Sequence, residues 1–166
     1  MGPLPSADKL SIYLNDHRAG ATAGHELARR LAGSNRGNDY GAALAELATE
    51  IGEDRAALVE VMDRLAIRRD PLKLAVSWAA EKAGRLKLNG GLIRYSPLSR
   101  LEELELLGLG VQAKLALWEA LRHTHGEDSR LRRVKFDELI ERARSQRRRL
   151  DRLRRRAAKE ALGPAG

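Results

Sequence analysis

Apolar residues recur at steps of three and four through five stretches of this chain, the spacing of a helix with one buried face. The first stretch runs from about Asp8 to Ala32. It carries Leu10, Tyr13, Leu14, His17, Ala21, Gly24, Leu27, Ala28 and Leu31 on one stripe. The second, Asp39 to Ile67, carries Leu44, Leu47, Ile51, Asp54, Leu58, Val61, Met62 and Leu65. A third, shorter segment opens at Asp70-Pro71 and stops at Asn89-Gly90-Gly91. The fourth opens at Ser96-Pro97, ends near His123 to Gly126, and carries Leu101, Leu104, Gly108, Val111, Leu115 and Trp118. The fifth runs from about Lys135 to Ala161 with Phe136, Leu139, Ile140, Ala143, Leu150 and Leu153 inward.

Boundary residues support these limits. Ser6, Asn38 or Asp39, Asp70 and Ser96 are N-cap candidates, and Pro71 and Pro97 suit a first helical position. Ser99 with Glu102 offers a capping-box alternative. No stretch alternates like a half-buried strand. The expectation is an all-α fold: an up-down bundle of four long helices with a shorter crossover helix. It fills one domain over 8–161, with a flexible start over 1–7 and a flexible tail over 162–166. The short first connection makes the first two helices antiparallel neighbours.

Two features interrupt the apolar stripes. The run Ala19-Gly20-Ala21-Thr22-Ala23-Gly24 puts two glycines inside a helix, at about 1 kcal/mol each relative to alanine. Close approach of a neighbouring helix is the expected compensation, with Gly108 and Gly110 as its counterpart. The second feature is a polar pair. His17 lies seventeen residues before Ser34, and Asp54 seventeen after Gly37. In an antiparallel hairpin the two share a height and face each other inside the bundle. A buried imidazole needs a partner, and a carboxylate is a good one. The plain reading is a structural hydrogen bond. The alternative is a transition-metal site of His17, Glu50, Asp54 and Glu105, because bundle cores are where helical proteins place such ligands.

The layout resembles the ferritin-like superfamily: two long antiparallel helices, a crossover with a short helix, then two more long helices. The segment Tyr13-Leu14-Asn15-Asp16-His17-Arg18-Ala19-Gly20-Ala21-Thr22-Ala23-Gly24, followed by Glu26-Leu27-Ala28-Arg29-Arg30, is similar to the first helix of small bacterial ferritin-like proteins of unassigned function. The resemblance implies a di-metal centre built from a Glu on two helices and Glu-x-x-His on two others. Glu50-Ile51-Gly52-Glu53 and Glu138-Leu139-Ile140-Glu141 have the spacing without the histidine. The expected ferroxidase chemistry is therefore missing or altered. No catalytic residue and no cofactor is assigned.

Composition narrows the field further. The chain has 166 residues and no cysteine, which excludes disulfides, thiol nucleophiles and thiolate metal sites. Aromatics are 4%, too few for a base-stacking platform. No apolar stretch is long enough to span a bilayer, and no signal-like segment opens the chain, so a cytoplasmic location is expected. The net charge of +8 is uneven: residues 129–166 hold fourteen Lys and Arg against five Asp and Glu, leaving seventeen against eighteen elsewhere. The densest part is Arg142, Arg144, Arg147, Arg148, Arg149, Arg152, Arg154, Arg155 and Arg156. These are a solvated helix end that complements the helix dipole, or a phosphate-binding footprint for nucleic acid or an acidic protein. Glycine-rich helix faces also allow a homo-oligomer. The leading expectation is a non-enzymatic helical bundle with a structural or interaction role and no intact di-iron motif. A divergent metal-binding protein and a nucleic-acid-associated protein are the alternatives.

Overall fold

The computed structural model describes residues 6–70 and 95–164. The third expected helix, from Pro71 to Asn89, lies outside the described residues. The other four helices form: α1 (Ser6–Ser34), α2 (Gly41–Arg64), α3 (Pro97–His125) and α4 (Phe136–Leu162), with a single 3-10 turn at Ser129–Leu131. No strand occurs among the described residues.

Local chemistry sets the helix ends. Ser96 caps α3 as its sequence suggests, its hydroxyl oxygen accepting from the Ser99 amide at 3.1 Å, with Pro97 in the first turn. The expected cap of α2 forms differently. Asn38 Oδ1 accepts from the Tyr40 amide at 3.0 Å, and the helix starts at Gly41 without a side-chain cap. At its other end α2 stops at Arg64 instead of running to Ile67. Ala66 adopts φ 56°, so its N–H bonds back to the Asp63 carbonyl at 3.1 Å and the Ile67 N–H to that of Met62 at 2.9 Å. This is the paired reverse bonding that usually recruits glycine.

Buried side chains fall into two clusters stacked along the bundle. One joins Leu14, Leu58, Met62, Leu115, Trp118, Leu121, Leu131 and Ile140. The other joins Leu27, Leu31, Tyr40, Leu44, Leu47, Leu104, Leu107 and Leu150. Every residue of the expected α2 stripe is buried, as are all those of α3 except half-buried Gly108. In α1, Tyr13 is exposed and His17 half-buried.

Cross-helix bonds fix the directions. His25 lies over Gly52 and Thr22 Oγ1 accepts from Arg55 Nε, so α1 and α2 are antiparallel. Arg30 with Glu103 and Asn35 with Arg100 make α1 antiparallel to α3. Arg144 with Glu119 and Arg100 with Glu160 make α3 antiparallel to α4. Helices α1 and α4 thus point one way, α2 and α3 the other. The end of α2 and the start of α3 lie at opposite ends of the bundle, Leu65 in the first cluster and Leu101 in the second.

The glycine-rich run of α1 does not make the close contact expected of it. Among the described residues, a β-carbon at Gly20, Gly24, Gly108 or Gly110 meets no heavy atom within 4 Å. The tight approach falls instead at Gly52, where a β-carbon would lie 2.9 Å from His25 Nε2. An imidazole stacked over a glycine, rather than glycine against glycine, sets the α1–α2 spacing there.

Candidate functional site

Between the two hydrophobic clusters lies a polar layer contributed by three helices. On α2 it falls at Asp54, between Ile51 and Leu58; on α3 at Lys114, between Val111 and Leu115; on α4 at Gln146, between Ala143 and Leu150. Each sits on its helix's apolar stripe because three- and four-residue steps carry it inward with its neighbours. Asp54 is 1% exposed and Gln146 0%.

The layer is fully cross-bonded at Asp54. Lys114 Nζ donates to Asp54 Oδ2 at 2.5 Å and also to Gln146 Oε1. Arg142 donates to Asp54 Oδ1 from Nε at 2.7 Å, and its terminal nitrogen lies 2.6 Å from the same oxygen. Gln146 Nε2 donates to Asp54 Oδ2 at 3.0 Å and to Glu50 Oε2 at 3.1 Å. Arg142 reaches Glu53 at 3.0 Å, and Arg149 binds Glu50. Three carboxylates therefore meet three cations: Glu50, Glu53 and Asp54 against Lys114, Arg142 and Arg149. Burial pushes the Lys114 ammonium below its ordinary lysine value, against the pull of the Asp54 carboxylate.

His17, the expected partner of Asp54, is not among the groups that bond it. With Thr22 bonded to Arg55 and His25 over Gly52, Asp54 stands opposite Ala23 and His17 opposite Glu60. The offset is six residues of α2, about 9 Å of helix rise. Its source is the interhelical turn. The sequence places the turn's midpoint between Ser34 and Gly37, whereas α2 begins only at Gly41. The turn is anchored by Asn35, while Arg36 to Asp39 stay exposed: Asn35 is 0% exposed, donates to the Leu31 carbonyl and the Tyr95 hydroxyl, and accepts from Arg100 Nε at 2.6 Å. His17 instead meets the Tyr13 ring edge-on, centroids 4.5 Å apart, and burial lowers its pKa while nearby Asp16 opposes the shift.

Glu50 joins the layer as the sequence suggests, but Glu105 does not. It is exposed and stands nine residues before Lys114, about 13 Å along α3. Among the described residues no group of three or more His, Asp or Glu is placed to hold a metal ion. Both Asp54 oxygens accept from nitrogen donors. The residues present therefore do not fit the di-metal centre that the resemblance implies.

Lys114 and Gln146 were not singled out by the sequence. Their signal was position alone: Lys114 completes Leu107-Val111-Lys114-Trp118, and Gln146 completes Leu139-Ala143-Gln146-Leu150. Polar residues on an apolar stripe mark a buried network once the pattern is read through them.

The arginines of α4 are mostly engaged. Arg142 and Arg149 cross to α2, and Arg156 reaches Asp39 at 2.9 Å. Arg144 pairs with Glu119 and Arg147 bonds Gln112, both on α3. Arg148 pairs with Glu141, while Arg154 and Arg155 share Asp151. Of these arginines, Arg147, bonded to the neutral Gln112, and Arg152 make no ion pair to a described residue. These long side chains bridge α2 and α4, whose backbones do not pack closely. At the bundle end, Arg100 and Arg156 lie over the buried Tyr40 ring at 4.4 and 4.8 Å, and the Glu160 carboxylate joins both guanidiniums. Burial raises the Tyr95 phenol beside this group to about 12.

No helix among the described residues is long and apolar enough to cross a membrane. Comparison with known protein families, with characterised proteins and with solved structures finds no match.

Proposed function

We propose that this chain is a non-enzymatic, ferritin-like helical bundle of the cytoplasm with a structural or interaction role. The observation that carries the reading is the charge balance at mid-bundle. Carboxylates that could ligate a metal or move a proton are committed to Lys114, Arg142 and Arg149. Opposite Asp54, α1 offers Ala21, Ala23 and Gly24 beside Thr22; its nearest imidazole, His25, lies over Gly52, and no group of three ligating side chains forms among the described residues. The helix directions support the ferritin-like layout. The chain leaves one end of the bundle after Leu65 and re-enters at the other with Ser96, as a single long crossover requires.

The test is metal content. Protein purified without a His-tag is loaded anaerobically with Fe(II), Mn(II) or Zn(II), desalted and analysed for metal per chain. Retention of near-integral metal by the wild type would overturn the reading.

A second reading, phosphate binding by α4, draws on the outward positions of Arg147, Arg148, Arg152 and Arg155, all exposed. It requires duplex DNA affinity that falls steeply with salt. Affinity unchanged by Arg148→Ala, Arg152→Ala and Arg155→Ala together removes it.

A further inference from the structure

We infer that the oxygens around Lys114 form a cation site that the chain fills with its own ammonium, and that a hard divalent cation takes this site once the ammonium is removed. The inference rests on the proposed non-metal reading and deepens it. It gives the misfit between this centre and a metal centre a physical form: an internal cation stands where an external one would.

The donor set defines the ligand class. Asp54 Oδ2 and Gln146 Oε1 both accept from Lys114 Nζ, and Glu50, one turn of α2 away, is linked to the same glutamine. The oxygens that touch the ammonium, a carboxylate of Asp54 and the amide carbonyl of Gln146, are hard donors, with the Glu50 carboxylate held behind them by Arg149. They suit Mg²⁺, Ca²⁺ or Mn²⁺ rather than metals that favour thiolate or imidazole. The charge count gives the driving force. Truncating Lys114 leaves three carboxylates against two guanidiniums. It also strips a charged donor from Asp54 Oδ2, whose residue is 1% exposed. Unmatched buried charge is costly, so the vacancy draws a compensating cation.

Access follows from the lysine itself. Its side chain is 13% exposed against 1% for Asp54, so the vacated stem opens a path from solvent to the carboxylate. Arg142 holds the other oxygen, Oδ1, and keeps Asp54 aimed at the vacancy.

The experiment titrates Mn(II) into the wild type, Lys114→Ala and Lys114→Ala/Asp54→Asn. Bound metal is read from the loss of the free Mn(II) electron-spin-resonance signal, and each thermal midpoint is followed with and without metal. The expected result is one Mn(II) per chain in Lys114→Ala, bound at least about tenfold more tightly than in the wild type, and lost in the double variant. Mn(II) then raises the midpoint of Lys114→Ala alone. If the alanine variant does not fold, Lys114→Gln removes the charge with less loss of volume and carries the same comparison. A folded Lys114 variant that binds Mn(II) no better than a metal-free wild type overturns the inference and leaves the proposed function standing. Stoichiometric Mn(II) in the wild type overturns both.

Discussion

Replacing Asp54 by alanine should destabilise the bundle by about 3 kcal/mol. The carboxylate is 1% exposed and accepts from Lys114, Arg142 and Gln146. Breaking a buried ion pair from one side costs about 3–5 kcal/mol, because the surviving charge stays buried without a counter-charge. The lower end applies here. Arg142 is 32% exposed and keeps Glu53, so the uncompensated charge is chiefly Lys114, at 13%. For a chain of this length the loss corresponds to a fall of roughly 10 °C in the thermal midpoint. Urea unfolding followed by circular dichroism measures it directly. Glu53→Ala is the control: Glu53 is 57% exposed, and its pair with Arg142 should be worth less than about 1 kcal/mol. The pair Asp54→Leu with Lys114→Met should recover most of the loss, since apolar replacement of both partners removes the desolvation penalty along with the attraction. An Asp54→Ala cost no larger than that of Glu53→Ala would refute the claim that this layer is a desolvated charge network.

Two further outcomes follow from local geometry. Ala66 holds φ 56° at the end of α2, a conformation glycine adopts without the β-carbon penalty, so Ala66→Gly should stabilise by up to about 1 kcal/mol in the same urea assay. His17 has its pKa lowered from 6.5 by burial, so the unfolded chain binds its proton more readily than the folded one. Stability therefore rises with pH from the depressed folded value up to 6.5 and gains nothing more from this group above it. His17→Gln should flatten that slope in urea midpoints taken across the window, and an unchanged slope would assign the proton uptake to another group.

Sequence alone determined the four described helices and the inward faces of α2 and α3. Steps of three and four residues are set by the backbone itself, so Leu44 to Leu65 of α2 and Leu101 to Trp118 of α3 could be assigned before any neighbour was known. Ser96-Pro97 marked the start of α3 for the same reason, since a cap acts within one turn. The buried position of Asp54 was equally legible from its place on the stripe. Its partner was not. Partnership depends on the relative height of two helices, and that height depends on how the turn between them folds. Asn35 turned inward to meet Tyr95 and Arg100, which come from distant sequence, and the register moved by six residues, enough to exchange His17 for Ala23 opposite Asp54. The α4 arginines show the same division. Their charge is written in the sequence, but whether a guanidinium faces solvent or a carboxylate on α2 depends on the separation of two helices and the reach of a long side chain. Periodicity is a local property of the chain, and only the tertiary structure decides which charges meet.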